Sequence, residues 1–132
     1  MAQLDDYLYE AANQTFAYGK TDCVKFVTGW VGLATGNDPS IPFGDYDQWD
    51  AEGIIIEHGS LMSLLDEHLG LEKIDQPERG AIGVVKLGFI DELFCAICVS
   101  ASHDKAMWAA KTERGIITMR GTPQAIWRVP NA

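Results

Sequence analysis

Cys23, at the predicted start of a helix, is the side chain in this sequence best placed to do chemistry. It follows Asp22 and precedes a run of apolar residues at helical spacing. Because a helix N-terminus carries partial positive charge, it stabilises a thiolate and lowers the pKa of a cysteine placed there. This arrangement favours nucleophilic attack on a carbonyl carbon. The alternative is that Cys23 is a small buried apolar residue.

A cysteine nucleophile needs a histidine to take its proton and a third polar group to orient that histidine. The chain has three histidines. His103 lies in a polar stretch that we predict to be a turn, so it is a weak candidate for the base. His58 and His68 lie in two predicted helices, 47–58 and 61–69, where we expect them to be structural or solvated.

Cys95 and Cys98 have the spacing of a zinc half-site. The surrounding apolar run predicts a β-strand, in which positions three apart point to opposite faces. The sequence also contains no second pair of ligands, which a zinc site needs. We therefore expect two buried thiols that do not bond to each other, and neither a metal nor a cofactor.

Composition predicts one soluble domain over residues 1–132, with 47% hydrophobic and 22% charged residues. Ten basic and nineteen acidic residues give a net charge of −9. This balance argues against a nucleic-acid partner and against docking on an anionic membrane. Neither a secretory signal nor a membrane span is evident, so we expect synthesis in a cytoplasm.

The elements that must position Cys23 follow from periodicity. We predict an amphipathic helix over 3–14 and a mostly apolar helix over 22–35, which ends at Gly36. Short strands are predicted after Pro77, at 81–85, 93–100, 106–110, 116–119 and 125–129. Helices followed by a set of short strands predict an α+β domain, with the cysteine helix packed on an antiparallel sheet.

Four motifs occur in order along the chain: Phe16 to Cys23, which includes Tyr18 and Gly19; Thr35 to Pro39; Tyr46; and Ala125 to Val129. Together with a strand that begins near Gly80, they resemble a family of small phage tail-associated proteins. That family is related to the NlpC-type, papain-like cysteine peptidases of the cell wall. The resemblance implies a papain-like or NlpC-like fold, with N-terminal helices packed on a small C-terminal sheet.

The resemblance also implies a site, and the sequence departs from it in two places. Cys23, Asp22 and Tyr18 match the nucleophile pocket. The residue after Gly80 is not the Asp of the active peptidases, and aligning the next strand places Phe94 where their catalytic histidine should be. Since phenylalanine cannot accept a proton, we expect a peptidase-like domain without a working catalytic pair.

The resemblance therefore predicts a structural component of a phage tail tip or baseplate, made in the host cytoplasm and carried in the virion. Its partners would be other tail proteins, in a symmetric assembly of several copies. The aromatic segment 43–49 is a candidate interface, since Trp and Tyr are enriched at interfaces.

Two alternatives remain open. The first is an active peptidoglycan cysteine endopeptidase that acts during DNA entry, with His103 as its base. The second is a module that holds a peptidoglycan peptide without cutting it.

Overall fold

The computed structural model describes residues 4–14, 23–36, 70–88, 93–101, 106–112 and 115–130. These residues form two helices and five strands, which confirms the predicted α+β class. The elements are α1 (Leu4–Ala12), α2 (Cys23–Thr35), β1 (Lys73–Ile74), β2 (Ile82–Leu87), β3 (Leu93–Ser100), β4 (Met107–Thr112) and β5 (Gly115–Trp127). The helices predicted at 47–58 and 61–69 lie outside the described residues.

All strand pairs are antiparallel, in the order β1-β5-β2-β3-β4, and β5 also pairs with β4. The first half of β5 pairs with β4, from Gly115 to Arg120. Its second half pairs with β2, from Gly121 to Trp127. Strands β2, β3, β4 and β5 therefore form a closed ring of pairings, and β1 lies along the outer edge of β5.

The sequence predicted two strands, 116–119 and 125–129, where the structure has the single strand β5. Gly121 and Pro123 suggest an interruption because neither favours a regular strand. In the structure they lie where β5 passes from β4 to β2. The β2–β5 register shifts between Val84 and Val85, and the missing N–H of Pro123 is tolerated at such an irregularity.

Two apolar cores lie on opposite faces of the strands. The helix-side core joins both helices to the outside of the ring; its main residues are Phe26, Val27, Trp30, Val31, Ile82, Val84, Cys95, Ile97, Ala109 and Trp127. The inner core lies on the other face, inside the ring; it consists of Ala81, Val85, Leu87, Ala96, Cys98, Trp108, Ala110 and Ile126. The alternation of side chains along a strand produces this division.

Trp108 is the largest residue of the inner core and requires glycines around it. A Cβ on Gly83 would lie 2.9 Å from the Trp108 ring and 2.9 Å from the Ala125 carbonyl oxygen. A Cβ on Gly121 would also lie 2.9 Å from Trp108. Since real side chains do not approach so closely, the absence of a Cβ at both positions makes room for the indole.

Helix α2 is fixed by specific hydrogen bonds as well as by burial. The indole N–H of Trp30 donates to the Gly80 carbonyl at 2.8 Å, which connects the middle of the helix to the chain entering β2. The Tyr7 hydroxyl donates to the Phe26 carbonyl at 2.5 Å and so connects α1 to α2. Gly36, with φ of 80°, ends α2 in the left-handed conformation that the sequence predicted there.

Candidate functional site

Cys23 is the first residue of α2, as the sequence predicts. Its side chain lies outside the described residues, as do Tyr18, Asp22 and His103. The contacts of the predicted nucleophile pocket, and the role of His103 as an alternative base, therefore stay predictions. His58, His68 and the aromatic segment 43–49 also lie outside the described residues. What the structure does show is the surface on which α2 packs.

Helix α2 packs mainly on β3 and secondarily on β4. Residues Val27, Trp30 and Val31 share the helix-side core with Cys95 and Ile97 of β3. These two β3 side chains are fully buried. The face of β3 that meets the helix thus carries a thiol and an aliphatic side chain there, and neither an imidazole nor a carboxylate.

The structure corrects the interpretation of Phe94. This residue pairs with Val85 across β2 and β3, and its side chain packs against the inner core. The helix-side core instead receives the next residue, Cys95. The prediction that Phe94 fills the place of the base beside the cysteine helix is therefore wrong, because Phe94 points to the opposite face.

The physical reason for this error is the two-residue period of a strand. Moving an alignment by one residue transfers every side chain to the other face. An apolar strand that is buried on both faces, such as β3, has no alternation of polar and apolar residues. The sequence therefore does not reveal which side chains point toward the helices.

Cys95 and Cys98 are both buried and not joined by a disulfide, and they belong to opposite cores, as predicted. Burial raises the pKa of the Cys98 thiol to about 11, against opposing effects of the Ser100 backbone and of the Arg79 charge. The thiol donates that bond at 3.6 Å. Cys98 is therefore unreactive at neutral pH. Within the described ranges, we find no group of His, Cys, Asp or Glu side chains that could hold a metal ion.

Lys111 is a buried charged residue that the sequence did not indicate. It lies in β4 with only 2% of its surface exposed. Its ammonium donates to the Ala11 carbonyl at 2.7 Å and also to the Gln14 carbonyl. Loss of hydration on burial lowers the pKa of Lys111 below its usual value. The neighbouring sequence favours a strand ending at residue 110, so nothing in it marks Lys111 as a buried cation on the helix side of the sheet.

A shallow surface groove runs beside β1, where Arg128 pairs with Glu72 at 2.7 Å and with Glu78 at 2.9 Å. The hydrogen bond from Arg128 holds the pKa of Glu78 below its usual value, and the two carboxylates raise the pKa of Arg128. The Glu72 side chain is mostly exposed, and those of Arg128 and Glu78 are nearly half exposed. Exposed pairs of this kind contribute little to stability.

Comparison with known proteins gives one family. The family model described as a domain of unknown function, DUF6950, matches residues 1–129. Searches among curated proteins and among solved structures find no match. Of the helices in the described residues, none is long and apolar enough to cross a membrane.

Proposed function

We propose a function for this chain, which belongs to the DUF6950 family of domains of unknown function. It is a structural component of a bacteriophage tail tip or baseplate. In this proposal the domain has a papain-like fold related to the NlpC-type peptidases but lacks a working catalytic pair. Its partners are other tail proteins in a symmetric assembly, and it is carried in the virion.

The observation that carries the non-enzymatic part is the composition of the β3 face beneath α2. In a papain-like arrangement, the strand next to the cysteine helix supplies the imidazole. Here the side chains that β3 sends to the helix-side core are Cys95 and Ile97, both without exposed surface, and Val99 beside them. Neither a thiol nor an aliphatic side chain is the imidazole that a catalytic pair needs.

The order of elements supports the papain-like part. Helix α2 begins at Cys23 and packs on β3 of an antiparallel sheet. The strand that follows Gly80 is β2, at the place where the resemblance puts the first strand of the sheet. The phage assignment is supported by the resemblance of the motifs between Phe16 and Val129 to those of the tail-associated family.

A wall-degradation assay tests the absence of catalysis. Purified protein and its Cys23→Ala variant are incubated with peptidoglycan sacculi, and newly released amino groups are quantified beside an active wall peptidase as positive control. We expect both proteins to match the buffer blank. Release by the wild type that the variant has lost would overturn the proposal and establish a Cys23-dependent hydrolase.

Sedimentation with the same sacculi distinguishes our proposal from the remaining alternative. A tail component without a wall-peptide site should stay in the supernatant at every wall concentration. Saturable co-sedimentation without release of amino groups would contradict our proposal and favour a module that binds a wall peptide.

Purified virions test the location. Phage particles are induced from a strain that carries the gene, banded by density, and analysed by mass spectrometry. Peptides of this chain should be present at a constant ratio to the known tail proteins. Their absence from the band, together with their presence in the lysate, would refute a virion location.

A further inference from the structure

We propose that α1 is a separately opening element, and that Lys111 holds its C-terminal end on the rest of the domain. The inference concerns the conformational behaviour of the fold and is independent of the proposed function. It rests on how the two ends of α1 are held and on what surrounds the Lys111 ammonium.

Helix α1 cannot be stable without the rest of the domain. It has nine residues, fewer than the number at which an isolated helix becomes even marginally stable in water. Its last turn contains no basic residue, so nothing in its own sequence complements the negative end of its dipole.

Two cations from elsewhere in the chain hold the two ends of α1. At the start, Arg79 contacts Asp5 at 2.8 Å, but both side chains are more than half exposed. At the end, Lys111 donates to the carbonyls of Ala11 and Gln14 from a buried position. Because solvent screens the first pair, the contact at the C-terminal end is the stronger of the two.

The environment of Lys111 explains why α1 can open by itself. In the described structure the hydrogen bonds of its ammonium go to backbone carbonyls and not to a carboxylate. Docking therefore removes water from a charge that, among the described residues, has carbonyl oxygens and no carboxylate as partners. When α1 leaves, the ammonium becomes hydrated again, and this gain offsets part of the lost contacts.

Opening of α1 also changes the surface of α2. The Tyr7 ring packs against Phe26 and Trp30, with centroid distances of 5.7 and 5.6 Å. Its hydroxyl covers the place where a Cβ on Gly29 would lie. Withdrawal of α1 therefore uncovers an apolar strip of α2 without disturbing the pairings among the strands.

Hydrogen exchange followed by mass spectrometry tests the proposal in the full chain. Lys111→Met keeps the length of the side chain and removes the charge. We expect peptides that cover α1 to exchange at least tenfold faster in this variant, whereas peptides from β2 and β3 keep their protection. The matched control, Lys86→Met, changes an exposed lysine of β2 and should leave α1 unchanged.

Two results would overturn the proposal: unchanged exchange of α1 in Lys111→Met, or an acceleration that is equal in α1 and β3. If that variant does not fold, the wild-type protein decides. Its α1 amides should exchange at least tenfold faster than those of β3 after correction for intrinsic rates. Equal protection would mean that α1 opens only when the whole domain unfolds, and the proposal would fail.

Discussion

Replacing Gly83 by alanine adds one methyl group at the point where β2 crosses the indole of Trp108. The added carbon would lie 2.9 Å from the Ala125 carbonyl oxygen and 2.9 and 3.0 Å from two ring carbons of Trp108. The oxygen belongs to a strand paired on β2, and the indole is fully buried, so neither neighbour can withdraw cheaply.

The expected cost follows from two opposing effects. Overpacking a closely filled core costs about 1–3 kcal/mol. Alanine in a strand recovers about 0.5–1 kcal/mol relative to glycine, because it loses less conformational freedom on folding. We therefore expect Gly83→Ala to lower the free energy of unfolding by about 1–2 kcal/mol. At roughly 3–5 °C for each kcal/mol in a domain of this size, the melting temperature falls by about 5 °C.

A double-mutant cycle with Trp108→Phe isolates the contact. Phenylalanine lacks the outer ring carbons that approach position 83, although the contact with the Ala125 oxygen remains. Gly83→Ala should therefore cost about 1 kcal/mol less in the Trp108→Phe background than in the wild type. The free energies are measured by urea denaturation followed by far-ultraviolet circular dichroism, which reports mainly on the backbone.

Gly36→Ala serves as the control for this cycle. Its φ of 80° makes alanine unfavourable, but a Cβ there would meet no atom of the described residues within 4 Å. Its cost should be the same in both backgrounds. A neutral or stabilising Gly83→Ala, or a cost that Trp108→Phe leaves unchanged, would refute the packing argument.

Three further changes give measurable results. Trp30→Phe leaves the Gly80 carbonyl without the indole donor and creates a small cavity. Urea denaturation should therefore show a free energy of unfolding lower by about 3 kcal/mol, and a decrease below about 1 kcal/mol would contradict the anchoring role of Trp30. Cys98 should react with iodoacetamide at pH 8 about a hundredfold more slowly in the native than in the unfolded chain, because its pKa lies at about 11 instead of 9.0. Since the unfolded chain loses this proton first, the free energy of unfolding should also fall as the pH rises through 9. Fast labelling of the native protein would contradict the burial of this thiol. Glu78→Gln should lower the free energy of unfolding by less than about 1 kcal/mol. Because Arg128 lowers the pKa of Glu78, the stabilising effect of Glu78 should be present above its usual pKa of 4.5 and disappear as the pH falls below that value. If the stabilities of wild type and variant stay parallel through this pH range, the ion pair does not contribute.

The sequence predicted those parts of the fold that depend on local periodicity and caps. Helix α2 ends at Thr35, before Gly36, as its apolar pattern and the glycine indicate. Strand β3 spans Leu93–Ser100, as predicted from its apolar run. Both elements are specified by neighbours in sequence, which is the information that a pattern contains.

Features that depend on distant partners were not predictable. Strand β1 has two residues, and it exists because Lys73 and Ile74 pair with the end of β5. Whether the Phe94 side chain points toward or away from the helices depends on which side of β3 receives α2. An apolar strand does not encode that choice. Lys111 bonds a carbonyl 100 residues away in the chain. In each case the cause is tertiary contact and not local composition.

The position of β5 in the chain has a consequence for synthesis. Ribosomes release the chain from its N-terminus at about 5–20 residues per second, so β1 emerges several seconds before the end of β5. Until then, β1 lacks the strand on which it pairs, and β2 and β4 each have an open edge that β5 will later cover. Unpaired edges of nascent chains are prone to intermolecular association. A lower expression level, which reduces the concentration of nascent chains, or the presence of chaperones that shield strand edges, should therefore increase the yield of soluble protein.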